Sequence, residues 1–123
     1  MSVIVGITLF NCKQSTAQQS TLLEPQEFKE FLANNEVLLV DVRTPQEFNT
    51  GHIENAVNIN FLSSDFEQNV QRLDSTKTLV IYCRSGNRSG KSAEVFLNAG
   101  FSEVRDLKGG VLNWQKNGLE LEK

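Results

Sequence analysis

Blocks of apolar and polar positions alternate along most of this chain. In "EPQEFKEFLANN", Phe28, Phe31 and Leu32 fall at i, i+3, i+4 behind Pro25, which predicts an amphipathic helix with proline in its first turn. "VLLVDV", Val37 to Val42, is a continuous aliphatic run, as expected of a strand buried on both faces. "TPQEF" then offers Thr44 as a cap, Pro45 at the first helical position and Glu47 to close a capping box, with Gly51 as the stop. "AVNIN" predicts a short strand. "SSDFEQNVQRL" predicts a helix with Phe66, Val70 and Leu73 on one face. "TLVIY", Thr78 to Tyr82, is a second buried strand, and "SGKSAEVFLNAG" is the helix after it, with Ala93, Phe96 and Leu97 inward and Gly100 at its end. "EVRDL" predicts a last strand, and "VLNWQKNG" a terminal helix after Gly109 and Gly110.

Strands separated by helices imply right-handed crossovers and an α/β domain with a parallel sheet covered on both faces. Ligands of such sheets bind beyond the carboxyl ends of the strands. Asp41 lies near the end of one strong strand and Cys83 follows the other, so parallel pairing predicts both at the same edge.

Composition narrows the chemistry. At 123 residues the chain holds one domain with one core, and 39% hydrophobic with 22% charged residues is ordinary globular usage. A net charge of -3 offers no basic field, which argues against a nucleic-acid partner. Two cysteines and one histidine cannot close a structural zinc site without carboxylates, so no metal is expected, nor a disulfide scaffold.

The N-terminus departs from the rest. Val3 to Phe10 is an eight-residue apolar run, followed by Cys12 and a polar stretch. That is too short to span a bilayer but suits the apolar region of a signal peptide. A cysteine just after such a run resembles the lipobox of bacterial lipoproteins, although no basic residue precedes the run and Asn11 replaces the small residue before the cysteine. The expectation is a signal or lipoprotein segment and linker over 1–20, a folded domain over 21–123, and a place in the bacterial cell envelope or periplasm, with membrane anchoring through a lipidated Cys12. The alternative is a weakly packed tail on a cytoplasmic protein.

"LVIYCRSGNRSGKSAEVF" carries the chemistry. "GNRSGKS", Gly86 to Ser92, imitates a phosphate loop, but three residues rather than four separate its first glycine from Gly90-Lys91-Ser92. A missing residue changes which amides converge on a phosphate. Cys83 is the better candidate, because the apolar run stops there. Arg84 and Arg88 follow, Gly86 lets the backbone turn tightly, and the next helix directs its N-terminal amides at the loop. Each of these favours a thiolate over a thiol. Cys83 and Arg88 have four residues between them, one fewer than in cysteine-dependent phosphatases, so phosphatase or arsenate reductase chemistry is disfavoured and a single sulfur held as a persulfide suits the cradle better.

Together, "LLVDVRTPQEFNTGHIENAVNI", "VIYCRSGNRSGKSA" and "LKGGVLNWQKNG" resemble a single-domain rhodanese, a sulfurtransferase, from about Leu22 to Leu119. The resemblance implies a central parallel five-stranded sheet with helices on both faces. It makes Cys83 the acceptor of a sulfane sulfur from thiosulfate or a similar small donor, with a thiol, cyanide or a thiol protein as acceptor, and no cofactor. Arg84, Ser85, Gly86, Asn87 and Arg88 would form the substrate-binding loop, with Arg84 attracting the donor's anionic end and Arg88 bracing the far end against a carboxylate. Asp41, Arg43, Glu47, His52 and Ser89 form the supporting set. There Asp41 is expected to cap, Arg43 to pair with Glu47, and His52 to pin a turn. Trp114 is expected in the core and Lys91 in solvent, while Phe61 and Phe66 suit either a pocket wall or the core. A second reading is a rhodanese-like module that carries persulfide to, or docks with, a partner protein.

Overall fold

Residues 19–123 are described by the structure, a computed structural model; the Val3–Phe10 run and Cys12 lie outside the described residues. The two most hydrophobic runs form the centre of the sheet. Strands β1 (Gln19–Leu23), β2 (Leu38–Asp41), β3 (Val57–Asn58), β4 (Leu79–Tyr82) and β5 (Glu103–Leu107) lie in the order β1-β5-β4-β2-β3, every pair parallel. All four residues of β4 are buried, as its unbroken aliphatic run requires of a strand covered on both faces.

Helices α1 (Pro25–Asn34), α2 (Pro45–Thr50), α3 (Phe66–Gln71), α4 (Asn87–Asn98) and α5 (Gly110–Lys116) make the crossovers. Alternation along the strands divides the core into two layers. Val40, Ile81, Cys83 and Val104 pack with Phe66, Val70 and Phe96 beneath α3 and α4. Leu39, Val80, Tyr82 and Leu107 pack with Phe28, Val111 and Trp114 beneath α1 and α5. The first layer is stapled by edge-to-face ring contacts running Phe61–Phe66–Phe96–Phe101, with centroids 5.2 to 5.9 Å apart. Phe66 is therefore core, while Phe61 is half-buried beside it.

Two differences from the sequence reading stand out. Gln19 and Ser20, expected in a linker, already belong to β1 and pair with Glu103 and Val104. "QSTLL" has no buried residue and hence no hydrophobic signature; the backbone ladder to β5 holds it. Helix α4 also begins at Asn87, two residues before the expected Ser89, because Gly86 takes the left-handed conformation at its N-cap (φ 101°). The Cys83 loop is shorter for it, and more of its amides belong to the helix.

Candidate active site

β4 delivers Cys83 to the carboxyl edge of the sheet. Asp41 sits opposite Tyr82 in the neighbouring parallel strand, so the two candidate segments meet there. After Cys83 the chain curls through Gly86 and returns. The amides of Gly86 and Ser89 donate to Cys83 Sγ at 3.1 and 3.3 Å. The first three amides of a helix have no partner within it. In α4 the ladder starts with Gly90 N–H to Gly86 O at 3.1 Å, so Ser89 N is free to serve the sulfur. Among the described residues, the amides of Arg84, Ser85, Asn87 and Arg88 find no acceptor. Cys83 as a whole is only 1% exposed. Main-chain dipoles thus line a seat for one anionic atom beyond it.

The seat is held from beneath by α5. Val111 N–H donates to Cys83 O at 3.0 Å and Leu112 N–H to Arg84 O at 3.1 Å. Gly110 (φ 61°) lies so close that a Cβ there would overlap the Arg84 carbonyl and Cys83 O. That contact explains the second glycine of the Gly109–Gly110 pair.

Its far end is held by Arg88. The guanidinium grips Glu47 in a fork, Nη1 to Oε1 at 2.7 Å and Nη2 to Oε2 at 2.9 Å. Glu47 also completes the expected capping box of α2, its Oε1 accepting from Thr44 N at 3.0 Å while Glu47 N donates to Thr44 Oγ1 at 3.2 Å. The Arg88 hydrogen bonds, with help from Thr44, pull the Glu47 carboxyl down to about 2.

Arg43 pairs with Asp41, not with Glu47. Its Nη2 donates to Asp41 Oδ2 at 2.7 Å and to Gly51 O at 2.6 Å, and its Nε to Oδ1 at 3.0 Å. Two residues along a chain leaving β2 is within reach of a fork, whereas Glu47 has turned toward Arg88. Burial alone would lower the Arg43 pKa, but Asp41 raises it overall. Asp41 Oδ1 also accepts from Arg43 N at 2.9 Å, the capping role expected of it. Tyr82 lies under this pair, its hydroxyl accepting from Ile53 N at 3.0 Å; burial first, then Asp41, raises its pKa. His52 stacks on Phe48 at 3.9 Å, contacts Ile53 O through Nδ1 at 3.0 Å and pairs its backbone with Glu122. These residues fix the wall behind the loop. Arg84, Ser85 and Asn87 are exposed at its rim, Lys91 is exposed on α4, and Trp114 is buried with Phe28.

The model of the rhodanese-like domain matches residues 24–117. The chain belongs to the rhodanese-like domain family. It is 38% identical over 90 residues to thiosulfate sulfurtransferase 16, chloroplastic, of Arabidopsis thaliana, covering 65% of this chain and 75% of that protein. It is also 34% identical over 119 residues to the tRNA uridine(34) hydroxylase of Listeria monocytogenes, but that match takes 93% of this chain and only 37% of the hydroxylase. Among solved structures, a rhodanese-like domain protein of Staphylococcus aureus superposes with TM-score 0.67 at 30% identity over 84% of this chain and 99% of that one. A rhodanese-related protein of Thermoplasma volcanium gives TM-score 0.73 at 26% identity, covering 83% and 97%.

Sequence reasoning missed three polar groups of this rhodanese-like domain. Asn58 Nδ2 ties the carbonyls of Asp41 and Arg43 at 3.0 and 2.8 Å. Ser92 Oγ donates to Ser89 O at 2.8 Å. Asp106 is 1% exposed in β5. Alternation was the available signal for Asp106, since it falls on the same face as Val104 in a segment expected to be a strand.

Proposed function

We propose that this domain is a sulfurtransferase that carries a sulfane sulfur on Cys83. The Cys83 thiolate attacks the outer sulfur of thiosulfate. A Cys83 Sγ–S bond forms, the S–S bond of the donor breaks, and sulfite leaves with the bonding pair. The terminal persulfide sulfur is anionic and sits among the loop amides. Cyanide or a thiolate then attacks that outer sulfur, and the bonding pair returns to Cys83 Sγ. Arg84, exposed at the rim, attracts the anionic donor. The observation that carries this reading is the pair of amides on Cys83 Sγ, with four further loop amides that find no acceptor among the described residues. The residues needed are all in the loop, and the reading calls on no cofactor.

Incubation with thiosulfate should add the mass of one sulfur at Cys83, and cyanide should remove it. Retention of the adduct in Cys83→Ser would refute the assignment. A second reading, delivery of the persulfide to a protein thiol, is favoured by Leu112, 44% exposed next to the Arg84 carbonyl at the rim. Saturable turnover with small thiols supports the first; transfer confined to protein thiols supports the second. The Val3–Phe10 run and Cys12 support placement in the cell envelope, and the mass of the mature N-terminus tests it.

A further inference from the structure

Asp106 is a buried titratable group near the loop that neither the transfer just described nor the wall behind the loop uses. It lies in β5 between Leu22 of β1 and Ile81 of β4, on the face covered by α4. Ile81 and Cys83 share that face, so Asp106 lies one strand across and two residues along from the nucleophile, about 8 Å by strand geometry. Its Oδ1 has no hydrogen-bond partner among the described residues. A buried acceptor left without a donor is costly, so such a group calls for an explanation.

The neighbour that answers it is Ser89, which is fully buried. Its hydroxyl stands between two acceptors. It reaches Gly86 O at 3.4 Å, a long hydrogen bond, and it lies close enough to Asp106 to offset part of the burial penalty on that carboxyl. The same serine places its amide on Cys83 Sγ, and its carbonyl is held by Ser92 Oγ.

Building on the sulfurtransferase reading, we propose that Asp106 is a positioning residue that sets the Cys83 loop through the Ser89 hydroxyl. As a carboxylate it takes the hydroxyl's hydrogen bond and draws the first turn of α4 onto the sheet, with the Ser89 amide against the sulfur. As a neutral acid it no longer takes that hydrogen bond, the hydroxyl is left with only its long contact to Gly86 O, and that turn loosens. Burial raises the Asp106 carboxyl to about 6, which puts the change within reach of ordinary buffers. The other titratable groups around it are few. β1 carries none, β4 brings Cys83 on this face, and α4 brings Arg88, held by Glu47, with the exposed Lys91 and Glu94. An anionic sulfur on Cys83 would repel the carboxylate and shift its titration upward.

The test follows Cys83 alkylation by iodoacetamide and thiosulfate–cyanide transfer from pH 4.5 to 8.5 in wild type, Asp106→Asn and Ser89→Ala. Wild type should show an inflection near pH 6 in both, with rates several-fold lower on the acid side. Asp106→Asn and Ser89→Ala should both lack it. Carboxyl carbon NMR of wild type alone should follow Asp106 titrating near pH 6, and higher after thiosulfate loading. An inflection retained in Asp106→Asn, or a wild-type Asp106 that titrates near 4, overturns the proposal. Absence of transfer in wild type and both variants, with the alkylation inflection present in wild type and lost in Asp106→Asn, counts against the sulfurtransferase reading and leaves the positioning role standing.

Discussion

Replacing Glu47 by glutamine isolates the brace at the far end of the loop. The substitution keeps the size of the side chain and an acceptor for the Thr44 amide, but removes the charge that Arg88 grips. Pairing lowers the Glu47 carboxyl from 4.5 to about 2, and at 1.36 kcal/mol per pH unit this gap is worth about 3 kcal/mol. Arg88 and Glu47 are 20% and 28% exposed, so screening by solvent brings the expected loss to about 2 kcal/mol at pH 7. A carboxyl depressed in the folded state contributes stability above its unfolded value and loses it as pH falls toward the folded one. The wild-type advantage should therefore be complete above about pH 5.5 and less than half remain at pH 3. Urea unfolding at the two pH values measures this, because urea, unlike guanidinium, leaves ion pairs unscreened. Freed from Glu47, the loop's last amides lose their register, and kcat/KM for thiosulfate should fall about tenfold, equivalent to about 1.4 kcal/mol of transition-state stabilisation. An advantage of the same size at pH 3 and pH 7 would refute the electrostatic argument. Unchanged sulfur transfer in a destabilised variant would show that Arg88 holds the fold but not the loop.

Three further outcomes follow from the same geometry. Gly110→Ala should lose sulfur uptake and several degrees of Tm, since its Cβ would overlap the Arg84 carbonyl and its φ of 61° disfavours alanine; thermal unfolding and adduct mass check this. Phe96→Ala, which empties the centre of the ring contacts beneath α4, should cost about 4 kcal/mol in urea titration with Cys83 still reactive in the folded fraction. Arg84→Ala should raise KM for thiosulfate and reduce its dependence on ionic strength, with little change in stability, because the side chain is exposed and has no ion pair among the described residues.

Where hydrophobic period or turn chemistry decides the outcome, the sequence was legible. The aliphatic runs 38–41 and 79–82 are the sheet's centre, and Thr44, Pro45 and Glu47 form the capping box that their spacing predicts. The order of segments was enough to place Asp41 and Cys83 at one edge. What stayed hidden depends on contacts between distant residues. The exposed β1 is held by its ladder to β5 and shows no apolar signature. Arg43 and Arg88 each had a choice of carboxylates, and only the turn of α2 sends Glu47 to a partner 41 residues away. Asp106 reads as an ordinary strand charge until Ser89 of α4 is packed over it.

The Cys83 cradle is made almost wholly of peptide groups, while the side chains of Arg84, Ser85 and Asn87 face outward. Chemistry and recognition are therefore separable in this molecule. On the proposed sulfurtransferase reading, exchanging those outward groups is a route to a different sulfur donor or acceptor that leaves the seat around Cys83 untouched.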